Sequence, residues 1–208
     1  MHLGSKVKHD KEAIQIMKDF VEGKMSIEDF KYQYDNNPSI KKNFNEYPGR
    51  PLKVGIGYDY ILRMDELDIR KTGDALNLFG FFMEFLEING YSCTPTEEYS
   101  KKYTFLLKIQ PSWLDMLDED YLQQQVISKV PIELTENQKM KWCKERIKDL
   151  FRYDDRPPRW IQEAEWPIVD GKPLVFKKQS KEVKDDERVH FYFYDPYTGQ
   201  ETIITQLY

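Results

Sequence analysis

The feature that most limits what this chain can become is the stretch Arg156 to Pro173, RPPRWIQEAEWPIVDGKP. Pro157, Pro158, Pro167 and Pro173 each fix φ, and each turns the preceding residue away from the helical region. No helix can run through such a stretch, so its backbone must be extended and turning. Trp160 and Trp166 are the largest apolar groups it carries. A segment with that backbone and those rings is too short to fold alone, which predicts that both tryptophans anchor it on another part of the chain.

Beyond it the apolar pattern has period two. Leu174-Val175-Phe176 reads as a strand, Val189 to Tyr194 as a second and Thr202 to Leu207 as a third, with Asp195-Pro196-Tyr197-Thr198-Gly199 as the turn between the last two. In the second strand Val189, Phe191 and Phe193 alternate with His190, Tyr192 and Tyr194, so one face is apolar and the other presents polar-tipped rings. Lys181 to Arg188 reads as a charged loop.

The residues before Asp154 follow helical spacing. Asp10 caps Ala13, Ile14, Met17, Phe20 and Val21, with Gly23 as the stop; Ser26 caps Ile27, Phe30 and Tyr34; Pro38 opens a short third helix. Tyr60 onward, Thr72 to Gly90, Glu97 to Ile109 and Tyr121 to Ile127 continue the pattern. Thr135 and Gln138 form a capping box ahead of Met140, Cys143, Ile147 and Phe151. The expected fold is therefore α+β, with a mainly helical body over 1–153, a sub-boundary at the proline-rich turn 47–51, and a small antiparallel β module over 154–208 packed on that body.

Composition bounds the function. The chain has 208 residues, 40% apolar and 14% aromatic, enough for one good-sized core or two modest ones. Its net charge of −5 argues against a general attraction to nucleic acid or to an anionic membrane surface. The charge is uneven: residues 57–136 hold 15 acids against 7 bases. Asp115, Asp118, Glu119 and Asp120 cluster around a helix start, where carboxylates suit the dipole. They read either as a solvated helix surface or as a face for a basic partner.

Two cysteines, Cys93 and Cys143, lack metal-type spacing and make no disulfide framework. The N-terminus has no apolar signal-like run and no later stretch is long enough to span a membrane, so the expected compartment is the cytoplasm. His2, His9 and His190 are the only histidines, and no Ser/His/Asp, Cys/His or zinc set can be assembled from the residues. Val54-Gly55-Ile56-Gly57 lacks the third glycine and the Lys-Ser/Thr of phosphate loops. The expectation is a protein without catalytic, cofactor or metal residues.

Glu165-Trp166-Pro167, Asp170-Gly171-Lys172-Pro173-Leu174-Val175-Phe176 and Gln179 together resemble the WP…GKPLxFxxQ segment of the YwqG-like family of uncharacterised bacterial proteins. The resemblance covers about the last quarter of the chain. The N-terminal phrase DFVEGKMSIEDFKYQYDNNPSI is similar to the openings of immunity proteins of bacterial toxin systems. That resemblance implies a cytoplasmic protein that binds and neutralises a cognate toxin, with Asp115, Asp118, Glu119, Asp120, Tyr192 and Tyr194 as candidate contacts. The alternative is a module that binds a peptide or small ligand around Trp160 and Trp166, and an enzyme is the third reading.

Overall fold

The computed structural model describes residues 9–45, 64–114, 119–180 and 188–207. The turn 47–51, the glycines at 55 and 57 and the loop 181–187 lie outside them. The chain is α+β: helices precede two small antiparallel sheets. No helix among the described residues is long and apolar enough to cross a membrane. Two compact units divide at Tyr103/Thr104.

The first unit is helical, with α1 (Lys11–Val21), α2 (Ile27–Asn36), α3 (Pro38–Asn45) and α4 (Thr72–Ile88). Its caps follow from the residues. The Asp10 carboxylate accepts from Ala13 N at 2.9 Å and Ser26 Oγ from Asp29 N at 3.0 Å, each satisfying a first-turn donor that no carbonyl can reach. At the end of α1, Gly23 N donates to Phe20 O and Lys24 N to Asp19 O, the paired bonds of a Schellman cap. The cap needs a left-handed residue, and Gly23 supplies it at φ 73°.

Aromatic rings fill this unit. Phe20 and Phe30 stack at 4.1 Å, and Phe82 meets Phe30 edge-on at 4.6 Å. The phenylalanine-rich face of α4 is thus core: Phe79, Phe82 and Phe85 are all buried. Burial pushes the Tyr99 hydroxyl up to about 12.

In the second unit, α6 (Glu119–Gln125) is followed by a 3₁₀ turn at Ile127–Lys129 and by α7 (Glu136–Leu150), which opens on the capping box of Thr135 and Gln138. The division falls within α5 (Glu98–Ile109): Tyr99 belongs to the first core, and Leu106 and Ile109 belong to the second. A two-residue hairpin, β1 (Ile168–Val169) and β2 (Lys172–Pro173), turns through Asp170 at φ 48° and Gly171 at φ 71°, the two left-handed positions of a type I′ turn. The larger sheet has the order β3 (Val175–Gln179), β4 (Arg188–Tyr194), β5 (Glu201–Leu207), antiparallel throughout.

The residue pattern changes at Asp154, but the compact units do not divide there. Cys143, Ile147 and Phe151 of the α7 region share one core with Trp166, Phe176, Phe191 and Phe193, so helix and sheet bury each other. Cys143 is fully buried, and that burial pushes its thiol up to about 11, which makes it a small apolar group rather than a nucleophile.

Two outcomes test these local arguments. Gly23→Ala forces a left-handed alanine whose Cβ would lie 3.1 Å from Thr96 Cβ, whereas Gly90→Ala, at φ 74°, meets nothing within 4 Å. Both should lose about 1–2 kcal/mol from the left-handed φ alone, with Gly23→Ala the worse of the two in chemical denaturation. In the β4–β5 turn, bonds from Tyr197 N (2.7 Å) and Thr198 Oγ1 (2.9 Å) hold the Asp195 carboxyl below its ordinary value of 3.8. A carboxylate depressed on folding stabilises above its unfolded pKa, and that stabilisation disappears as pH falls through the folded value. The Tyr197 amide proton resonance should therefore move on acidification with a midpoint below 3.8. A midpoint at or above that value would remove the carboxylate from the turn.

Candidate functional site

Two surfaces of the second unit gather chemistry, one on each side of the larger sheet. The first is the sheet's outer face. Because side chains alternate along a strand, the burial of Val189, Phe191 and Phe193 leaves His190, Tyr192 and Tyr194 half-buried on the opposite face. Register adds β5: Glu201 stands opposite Tyr194, Ile203 opposite Tyr192, Thr205 opposite His190 and Leu207 opposite Arg188. Ile203 is 53% exposed and Leu207 51%. Lys178 holds its ammonium 5.2 Å from the Tyr192 ring centre, and His190 Nδ1 lies 2.8 Å from Thr205 Oγ1.

Tyr194 donates from its hydroxyl to Asp154 at 2.9 Å, which raises its pKa and fixes the ring. Lys177 and Glu201 pair at 2.6 Å, raising the lysine and lowering the glutamate. The face combines tyrosine, aliphatic and cationic groups on a three-stranded support.

Under the sheet, the proline-rich stretch crosses the apolar face. Trp160 lies 4.5 Å from Phe191, centre to centre, and its indole N–H donates to Trp113 O at 2.9 Å. Two glutamines hold the crossing backbone. Gln179 on β3 accepts from Arg159 N at 2.9 Å. Gln206 on β5, 1% exposed, accepts from Ile161 N at 3.0 Å and Gln162 N at 3.1 Å and donates to Glu163 O at 2.6 Å. Trp166 then packs against Trp113, Phe151 and Phe193 at 5.4–5.5 Å and donates to Leu174 O at 2.8 Å.

The held segment forms one wall of a cleft of about 680 Å³, and the end of α5 with the following turn forms the other. Its lining includes Gln110, Trp113, Arg156, Pro157, Arg159 and Trp160 and, among the described residues, no acidic side chain. Arg156 and Arg159 are exposed and make no ion pair with a described residue. Gln110 donates to Leu114 O, while its buried Oε1 has no donor among the described residues.

The expected contacts are thus only partly assembled. Asp115 and Asp118 lie outside the described residues. Glu119 begins α6, its side chain undescribed, and Asp120 is exposed beside it. Tyr192 and Tyr194 share the outer face as their alternation predicts. Arg156, Arg159, Gln179 and Gln206 were not singled out as functional, and the one signal that could have found the glutamines is their position at the ends of strands facing a segment that has no partner strand. Among the described residues no group of three or more His, Cys, Asp or Glu side chains could hold a metal ion.

No family model, no curated protein and no solved structure matches the chain.

Replacing Gln206 by leucine strands two backbone N–H groups and a carbonyl at the cleft wall, and should cost on the order of 2–3 kcal/mol. Gln200→Leu, on the exposed turn, serves as control. Denaturation midpoints of the two variants check this, and equal midpoints would mean that the amide clamp carries no weight.

Proposed function

We propose that this chain is a non-catalytic interaction protein of the bacterial immunity type, acting in the cytoplasm by binding and neutralising a cognate toxin. The observation that carries the reading is the outer face of the sheet: Tyr192 and Tyr194 beside exposed Ile203, Leu207 and Arg188. Tyrosine and arginine are enriched among interface hot spots: tyrosine offers a large amphipathic area with few torsions to freeze, and arginine a planar fork of five donors. Strand pairing and the Tyr194–Asp154 bond keep this area ordered before any partner arrives, which lowers the entropic cost of association. The similarity of the N-terminal helices to immunity-protein openings supplies the class of partner.

Asp115, Asp118, Glu119 and Asp120 act in this reading as steering charges, setting the association rate with a basic toxin rather than the final contacts. A gene beside this one should encode a toxin, co-expression with that toxin should restore growth, and the two proteins should co-purify in equal amounts. Tyr192→Ala should weaken the complex by about 30-fold or more, the scale of an interface hot spot, against a loss of fold stability of about 1 kcal/mol or less. Neutralising the four acids should slow association at low salt and leave dissociation as it was. Absence of both growth rescue and a complex would end the proposal.

A further inference from the structure

The cleft beneath the sheet has the chemistry of a second, separate binding site; none of its lining residues belongs to the outer sheet face. Three observations bear on its ligand. Among the described residues its charge is one-sided: Arg156 and Arg159 line it, no described acid does, and neither guanidinium is neutralised by a described side chain. Aromatic groups line it as well, with Trp113 and Trp160 each half-buried, so part of each indole is committed to the core and the rest borders the cleft. The wall is also prearranged. Prolines 157 and 158 fix its φ angles, and Gln179, Gln206 and the Trp160 indole tie residues 159–163 to the sheet and to Trp113.

We infer that this cleft binds an extended peptide segment through a carboxylate. Guanidinium groups recognise carboxylates through paired, charge-assisted hydrogen bonds, which are stronger and more directional than those of an ammonium. Aromatic-lined grooves accept extended backbone. The volume of about 680 Å³ accommodates a few residues, not a folded domain. The carboxylate can come from a peptide C-terminus or from an acidic side chain, and the chemistry of the arginines is the same for both. This inference does not rest on the sheet-face reading, since a toxin could bind there with the cleft empty.

The test uses the full chain labelled with ¹⁵N and three pools of N-acetylated pentapeptides, randomised at the first four positions over residues other than Asp and Glu. One pool ends in glutamine with a free C-terminus, one in amidated glutamate and one in amidated glutamine. The expected result is that a carboxylate-bearing pool shifts the Trp113 and Trp160 indole resonances in a saturable way, while the amidated glutamine pool binds about tenfold more weakly or not at all. Response to the first pool alone identifies a C-terminus as the source, response to the second alone a side chain, and response to both the shared carboxylate. Arg156→Gln/Arg159→Gln, altered at two exposed positions, should keep its melting midpoint and lose the response by about tenfold. Equal binding of all three pools, no shift with any of them, or an unchanged response in the double variant would overturn the inference.

Discussion

A buried peptide N–H must find an acceptor, and the second unit is organised by the way it meets that demand. The apolar face of a three-stranded sheet needs a cover, and part of that cover is a segment too rich in proline to be a helix or a central strand. Such a segment brings unpaired backbone groups against hydrophobic side chains. Gln206 and Gln179 meet the need with side-chain amides, which offer the same donor and acceptor pair as a neighbouring strand. The glutamine amide thus substitutes for a hydrogen-bonded ladder across a chain that cannot form one.

With its backbone satisfied, the segment can deliver Trp166 to the middle of the core. There the indole touches rings from the turn after α5, from the end of α7 and from two strands, Phe176 and Phe193. Its N–H goes to Leu174 O, so a large apolar area is buried with no polar atom left over. Helix and sheet meet through this side chain. That is why the compact unit runs back to Thr104 and does not begin where the strands begin.

Much of this was legible in the sequence because the signals are local. Caps at Asp10, Ser26 and Thr135, the stop at Gly23 and the alternation through Val189 to Tyr194 depend on neighbours a few residues away, and each is found where its pattern predicts. The division into units was not legible, since it is set by which apolar faces meet across long separations. The β1–β2 hairpin was missed because two-residue strands have no measurable period, although Asp170-Gly171 carries the turn chemistry. On the sites, alternation placed Tyr192 and Tyr194 together on one face. It could not show that Arg156 and Arg159 line a cleft with Trp113, more than forty residues away in the chain.

The two surfaces differ in how they are made rigid, and that difference bears on what each can do. On the outer face, order comes from strand pairing, which fixes Cα positions but leaves exposed side chains such as Ile203 and Leu207 free to choose rotamers. Such a surface adapts to a broad protein partner, with the ordering cost spread over many side chains. In the cleft, order comes from fixed proline torsions and from amide clamps on the backbone, so the positions from which Arg159 and Trp160 project are set before a ligand arrives. Guanidinium groups that project from a fixed backbone reward a planar anion, because a misplaced carboxylate gives up one of its two bonds. Breadth on one side of the sheet and selectivity on the other therefore follow from the same three strands.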